Sequence, residues 1–170
     1  MTENPAFDEM FAGCKQSAMH LEMRDMYTPG DPVYLDWKAG IKVDAAERWR
    51  DWFDLMTATT SRGVEVRRAR VVSEPITDFI RHEYELTEDL NIASGEHVRW
   101  LPRRRASDLA LPGNDFWVFD QDRVRFGYFA GDGRYLNDEI VTDPAVVKLC
   151  VSAFEAVWGR AIDHKDYHPV

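Results

Sequence analysis

The stretch VEVRRARVVSEPITDFIRHEYELTEDL, residues Val64 to Leu90, predicts a basic strand, a Ser-Glu-Pro turn and an amphipathic helix. Because strand side chains alternate between two faces, Arg68 and Arg70 share a face with three valines. At about 100° per residue, Glu83 falls near the middle of the helix's apolar side. A carboxylate there must be paired, protonated or extended past its neighbours, since an isolated buried charge is very costly. We therefore expect Arg68, Arg70 and Glu83 to lie in or beside the core.

Two interpretations of this charge pattern stay open. In the first, the arginines and the glutamate form a buried ion network that only fixes the packing. In the second, the same groups form a ligand site. Perturbed ionisable groups mark both situations, so the pattern does not separate them.

The segment SAMHLEMRDMY, residues 17–27, alternates apolar and polar side chains and predicts another strand. Its polar face carries His20, Glu22 and Arg24. We expect these residues to lie beside the charged residues of the basic strand across the sheet. A solvent-facing edge strand explains this polar face equally well. A short amphipathic helix is predicted before it, at residues 7–14.

Helices and a third strand complete a repeating order. Asp44 predicts a capped helix that ends at Gly63. The helix predicted for residues 75–90 begins with Pro75 in its first turn, and Ser73 caps it. Residues 96–103, EHVRWLPR, predict a strand. The order strand–helix–strand–helix–strand favours a parallel core.

The last third of the chain predicts an antiparallel extension. FWVFD (116–120) and RVRFGYF (123–129) form a hairpin, and a further turn follows at residues 131–133. Asp143 caps a long, densely apolar helix. We therefore predict one α/β domain over residues 1–170. It has a mixed sheet with a parallel β-α-β-α-β core, an antiparallel hairpin, helices on both faces, a C-terminal core helix and a flexible tail at 163–170.

Composition excludes several classes of protein. The 170 residues carry a net charge of −9, which argues against a general nucleic-acid binder. Two separate cysteines, Cys14 and Cys150, form neither a disulfide scaffold nor a zinc site. The acidic start that includes Glu3 does not resemble a signal peptide, and no segment is apolar enough to span a membrane. We expect a cytoplasmic protein without a cofactor.

The charged residues predict an anion site more than an enzyme. In open α/β sheets, ligands gather beyond the carboxyl ends of the strands, and Arg70, Arg81 and Arg99 could supply paired donors there. The candidate ligand-binding residues are His20, Glu22, Arg24, Arg68, Arg70, Glu74, Arg81, Glu83 and Arg99.

Catalytic and metal motifs are weak. A small hydrolase or transferase that uses His20, Glu22 and Glu83 is the alternative to a binding module. His164 and His168 have the spacing of a zinc pair, but a chain end lacks a rigid third ligand. We therefore assign no catalytic residue and no metal ligand.

Several motifs together resemble an actinobacterial family of domains of unknown function encoded near helix-turn-helix regulators. They are FDEMFAGC, HLEMRDMY, RRARVVSEPITDFIRHEYELT, GEHVRWLPR and the segment from FWVFD to the last helix. This resemblance implies a regulatory or toxin–antitoxin-like module. Its expected partner is a helix-turn-helix regulator or a small protein.

The strand order also resembles one half of a phospholipase D-like fold. The catalytic form of that fold needs His-x-Lys, and none of the five histidines is followed two positions later by lysine. The resemblance therefore implies a non-catalytic half-domain without phosphodiesterase chemistry.

Overall fold

The computed structural model describes residues 6–170, and the acidic start at Glu3 lies outside them. Seven strands of the described chain form one mixed sheet. They are β1 (Ser17–Glu22), β2 (Glu65–Val72), β3 (His97–Pro102), β4 (Phe116–Phe119), β5 (Arg123–Phe129), β6 (Tyr135–Val141) and β7 (Ile162–Asp163). Their order across the sheet is β6-β5-β4-β1-β2-β3-β7.

Six α-helices accompany the sheet within residues 6–170. They are α1 (Phe7–Gly13), α2 (Pro32–Lys38), α3 (Ala45–Arg48), α4 (Arg50–Ser61), α5 (Asp78–Thr87) and α6 (Pro144–Arg160). A π-helical turn, Glu88–Ile92, continues α5. No helix in this part of the chain combines the length and apolar character needed to cross a lipid bilayer.

The predicted α/β fold with its mixed sheet is confirmed. β1, β2 and β3 are adjacent and parallel, while β4 pairs antiparallel with β1 and forms the expected hairpin with β5. The predicted C-terminal helix is α6. Neither β6 nor β7 was predicted as a strand, because β6 (YLNDEIV) is mostly exposed and polar and β7 has two residues.

Each face of the sheet packs against different helices. On the α6 face, Met19, Leu21, Ala69, Val71 and Leu101 pack against apolar residues of α6 such as Phe154. On the α5 face, Val98 and Trp100 pack against Phe79 and Ile80 of α5, while Val66 and Trp117 pack against residues of α1 and α4. The α6 face carries the largest single apolar cluster, whereas the apolar residues of the α5 face form two clusters.

The start of α5 differs from the prediction. The helix begins at Asp78 rather than at Pro75, and Thr77 is its N-cap, with Oγ1 accepting a hydrogen bond from Ile80 N. Pro75 lies before the helix and follows a cis peptide bond. Ser73 is not the cap, because its N–H and hydroxyl both donate to Asp25.

The helix predicted from Asp44 to Gly63 is interrupted. Asp44 caps α3 by accepting from Glu47 N at 3.0 Å, as expected. Trp49, with φ −116° and ψ 43°, separates α3 from α4. Gly63 adopts φ +88°, a conformation that favours glycine, and this explains why the chain turns into β2 there.

Residues 163–170, expected to be a flexible tail, lie against the sheet in the structure. β7 pairs with β3 at Arg99 and Trp100. The ring of Tyr167 is 2% exposed and stacks on Trp100 at 5.5 Å between ring centroids. This segment therefore contributes an aromatic side chain to the α5 face.

Candidate functional site

The strand register brings the charged residues of β1 and β2 together. His20 lies opposite Arg68, and Glu22 lies opposite Arg70. Side chains of α5 and of the residue before β3 reach the same place. We call the resulting group the ion cluster; it consists of His20, Glu22, Arg68, Arg70, Glu83 and Glu96.

Arg70 joins two carboxylates from opposite sides. Its Nε lies 2.5 Å from Glu22 Oε2, and its Nη2 lies 2.7 Å from Glu83 Oε2. Its Nη1 donates to Thr87 Oγ1 at 2.7 Å, and that hydroxyl donates to the Glu83 carbonyl. The guanidinium is therefore partnered at each nitrogen, as a buried charge requires.

Arg68 is held in the same way by a second pair of carboxylates. Its Nε donates to Glu96 at 2.8 Å, and its Nη1 donates to Glu22 Oε1 at 2.8 Å. The same Nη1 lies 3.0 Å from Nδ1 of His20. Since an arginine only donates, this contact makes Nδ1 the acceptor and leaves the proton on Nε2. Asn91 donates to Glu96 from the other side.

Aromatic rings enclose the ion cluster. Arg68 lies over Trp117 at 5.4 Å and over Trp52 at 5.9 Å, and Arg70 lies over Trp100 at 4.9 Å. The His20 ring stacks on Trp117 with 4.2 Å between centroids. Contacts of this kind between cations and ring faces are attractive.

The environment shifts the pKa values of Glu22 and Glu83 in opposite directions. Burial alone would raise the pKa of Glu22, but the charges of Arg70 and Arg68 outweigh it and hold the pKa well below its usual range. For Glu83, burial prevails over the charge of Arg70, and the nearby Glu22 charge adds to it, so the pKa is raised.

The imidazole of His20 stays neutral. Burial lowers its pKa to about 3, with the charges of Arg68 and Arg70 acting in the same direction and Glu22 opposing them. The cluster therefore holds three carboxylates against two guanidinium groups, or one more negative group than positive.

A cavity of about 400 Å³ opens beside the cluster. His20, Glu22, Arg68, Arg70 and Glu83 all line it. Its other walls are mostly apolar and include Trp49, Trp52, Phe79, Leu86 and Trp117, with Asp31 and His82 among the polar residues. We call this space the main cavity.

A smaller cavity of about 200 Å³ adjoins the main one through His20, Glu22 and Trp117. Tyr27 donates a hydrogen bond to Asp115 at its wall. Burial raises the pKa of Asp115 to about 6. The two spaces together surround the polar face of β1.

Four of the nine residues proposed from the sequence lie away from the cluster. Arg24 follows the end of β1, where alternation stops, and donates to the Ala130 carbonyl. Glu74 accepts from the hydroxyl of Tyr167. Arg81 is exposed on α5. Arg99 points to the α6 face, over Trp158 at 4.4 Å.

The expected strand-end anion site is filled by the chain itself. Arg103 donates to Ser73 Oγ at 3.0 Å and to the Met23 carbonyl at 2.6 Å, and lies 3.4 Å from Asp25. These contacts link the carboxyl ends of β1 and β2. They leave the ion cluster, further inside the sheet, as the candidate site.

Sequence reasoning missed several residues of the site. Glu96 begins the strand predicted at residues 96–103 and shares the alternating face of Val98 and Trp100, yet it was not proposed as a site residue; Asn91 lies in the π-helical turn after α5. Trp52 packs against the core and also lines the main cavity. Gly95 adopts φ +96° and lies so close to Thr60 that a side chain would not fit there. This glycine marks the tight turn that places Glu96 in the cluster.

A metal site would need several His, Cys, Asp or Glu side chains close together. Within residues 6–170, no three His, Cys, Asp or Glu side chains are placed to hold a metal ion. His164 is one of the two histidines whose spacing was considered for zinc. It accepts a hydrogen bond from Trp100 Nε1 at 3.0 Å. Its role in the structure is therefore to satisfy a buried indole.

Comparisons with known proteins agree with the fold. The family described as Domain of unknown function (DUF6879) matches residues 5–169. No match was found among curated proteins. Among solved structures, the chain is similar to Nuc, a phospholipase D family member from Salmonella typhimurium, at 14% identity and a TM-score of 0.51 over 92% of this chain and 86% of that one.

A second similar structure is TrmBL2, an archaeal chromatin protein with a novel mode of DNA binding. Its identity is 15% and its TM-score 0.49, over 91% of this chain and 47% of that one. At such identities the likeness to Nuc shows a shared fold alone. The expected family of unknown function and the distant phospholipase D-like shape are confirmed; the actinobacterial origin and the neighbouring regulators stay predictions.

Proposed function

We propose that this chain, which belongs to the DUF6879 family of domains of unknown function, is a binding module for a small organic molecule. The observation that carries this proposal is the main cavity, which brings the ion cluster and three tryptophans to one space of about 400 Å³. Ligand pockets in proteins have volumes of about 300–1,000 Å³ and combine apolar walls with a few polar groups.

The protonation states favour binding over catalysis. A general base works best when its pKa lies near the working pH. His20 has a pKa of about 3, and Glu22 is held ionised by two arginines, so neither takes up a proton readily at neutral pH.

One observation supports the alternative that the protein is an enzyme. His20, Glu22 and Glu83 do converge on one cavity, as a hydrolase or transferase would need. Glu83 is the member whose pKa is raised, which suits a proton acceptor better. We rank this alternative second because its three groups are bound to the same two arginines. Phospholipase D activity is not proposed, since the sequence has no His-x-Lys.

A regulator remains the expected partner of such a module. This part of the proposal rests on the sequence resemblance to domains encoded near helix-turn-helix regulators. Ligand binding would then change how the domain docks on the regulator.

The cavity can be tested by filling it. Leu86 lines the main cavity, so Leu86→Trp should occupy part of the space. Leu149→Trp makes the same change at an exposed position of α6, where the side chain is 49% exposed. We expect isothermal titration to detect at least one of three probes, phenethylammonium, 2-phenylethanol or 3-phenylpropanoate, on the wild type and on Leu149→Trp but not on Leu86→Trp.

Two results would contradict the proposal. One is that none of the probes binds the wild type at millimolar concentration. The other is that binding survives unchanged in a folded Leu86→Trp variant, which would place the probe elsewhere on the protein.

A further inference from the structure

We infer that the ligand of the main cavity is an organic cation, a protonated amine carried on an apolar body. This inference deepens the proposed function and rests on it. It replaces the anion expected from the basic sequence of β2 with a ligand of the opposite charge.

A ligand in the main cavity meets the exposed charged groups of the ion cluster first. Both arginines are nearly closed off, with side chains 6% exposed for Arg70 and 7% for Arg68. Glu83 is the most open charged member of the cluster, at 22%. Because a ligand in the cavity contacts the exposed atoms, it meets a carboxylate before it meets a guanidinium.

The balance of charge in the ion cluster also favours a cation. The arginines are already paired with Glu22, Glu83 and Glu96, and the cluster has one more carboxylate than guanidinium. Asp31 adds a further carboxylate to the cavity wall, although its Oδ1 accepts from two backbone N–H groups of α2. An anion would have to displace a bonded carboxylate, while a cation would be attracted.

The main cavity has an aromatic wall that suits a cation. Trp49, Trp52 and Trp117 all line the cavity. The face of an indole attracts a cation, most strongly where water is excluded. An apolar body beside these rings also removes hydrocarbon surface from water.

His82 contributes a buried ring nitrogen to the cavity wall. His82 lines the cavity and is 2% exposed, and its Nδ1 has no hydrogen-bond partner within the described residues 6–170. The centroids of the Tyr34 and Trp37 rings lie 5.5 and 5.4 Å from the centroid of the His82 ring. Burial lowers the pKa of His82, so the ring is neutral.

A neutral imidazole with its proton on Nε2 offers Nδ1 as an acceptor. A buried polar atom without a partner is costly and needs an explanation. In that tautomer, a ligand N–H would supply the missing donor, and an amine has such a group whereas a quaternary ammonium group lacks one.

A set of probes with one body and three head groups tests the charge. Phenethylammonium, 2-phenylethanol and 3-phenylpropanoate share a phenyl ring on a short chain and differ in charge. By isothermal titration of the wild type, we expect phenethylammonium to bind at least about tenfold more tightly than 2-phenylethanol, a factor that equals about 1.4 kcal/mol. We expect 3-phenylpropanoate to bind most weakly.

A variant connects this preference to its residue. Glu83→Gln keeps the shape and removes the charge, and should reduce the ratio of amine to alcohol affinity about tenfold, again about 1.4 kcal/mol. Asp89→Asn removes a carboxylate from the exposed side of the next turn and should leave the ratio unchanged. Circular dichroism establishes that each variant is folded. The comparison of the three probes on the wild type does not depend on the folding of any variant.

The outcomes separate the two proposals. Equal or tighter binding of 3-phenylpropanoate or 2-phenylethanol than of phenethylammonium overturns the cation inference, and the binding module stands. Failure of all the probes to bind overturns both. A cation preference that Glu83→Gln and Asp89→Asn change equally would show general charge attraction and overturn the assigned site.

Discussion

Strand β2 has two faces that are stabilised in different ways. On the α6 face, Ala69 and Val71 pack among apolar residues. On the α5 face, Arg68 and Arg70 bind three glutamates. Apolar packing tolerates volume-conserving changes, because contact between hydrocarbon groups has no fixed direction. A buried ion network has direction and charge, so the removal of one partner leaves another unsatisfied.

This difference separates the stability of the domain from its candidate function. The α6 face carries the largest single apolar cluster. The α5 face carries the groups that are costly to bury, and it is also the face with the main cavity. Costly polar groups beside a cavity are typical of ligand sites, although structural networks share the pattern.

The largest effect should come from removing Arg70. Arg70→Met leaves Glu22 and Glu83 without their shared partner, so we expect a loss of about 3–5 kcal/mol in the free energy of unfolding. Urea denaturation at pH 7 measures it.

Arg48→Met is the control for this experiment. Arg48 pairs with Asp36, and the two side chains are 45% and 35% exposed. The control should lose about 1 kcal/mol or less. If both variants lose the same amount, the burial of the ion cluster has no special energetic cost.

On the α6 face, Leu21→Ala should cost about 2–5 kcal/mol, because a fully buried leucine leaves a cavity. The cost should be equal at low and high salt, since no charge is involved. Leu149→Ala, at an exposed position of α6, should change stability by less than about 0.5 kcal/mol. A strong salt dependence for Leu21→Ala would mean that the two faces are coupled.

The pH dependence should distinguish the α5 face. The folded-state pKa of His20 is about 3, well below the ordinary value of 6.5, so the unfolded chain binds its proton first as the pH falls. This contribution to stability is present above pH 6.5 and is lost towards pH 3, by roughly 2 kcal/mol at pH 5.

His20→Gln removes that titration, and His97→Gln at an exposed position of β3 does not. We therefore expect the unfolding free energy of His20→Gln to fall less between pH 7 and pH 5 than that of the wild type. His97→Gln should follow the wild type. A His20→Gln curve parallel to the wild type would mean that His20 is protonated normally in the folded protein.

The smallest effect should come from Arg81. This residue is two positions from Glu83 but lies exposed on α5, so Arg81→Gln should change the unfolding free energy by less than about 0.5 kcal/mol. Thermal melting at pH 7 measures the change. A cost well above 1 kcal/mol would reveal a partner for this arginine and extend the charged region across the helix.

Local periodicity accounts for the parts of the site that were predicted. Alternation along β2 puts Arg68 and Arg70 on one face, and the helical period puts Glu83 on the side that packs against them. The alternation of β1 adds His20 and Glu22. It fails for Arg24 because β1 ends at Glu22 and the backbone direction changes.

Other parts of the structure depend on contacts between distant segments. Thr77 rather than Ser73 caps α5 because Asp25, from the end of β1, takes the N–H and hydroxyl of Ser73. Glu96 belongs to the cluster because Arg68, from β2, donates to it at 2.8 Å. β6 is polar, and it forms a strand because it pairs with β5.

The sequence by itself determined the α/β class, the parallel core, the long C-terminal helix and the unusual charge on one face of β2. These properties follow from periods of two and 3.6 residues, which are local. Only the tertiary structure decided that Arg68 and Arg70 are fully partnered and that Glu83 is the open charge beside a cavity. Pairing and exposure depend on which distant segments meet, and no local pattern encodes that meeting.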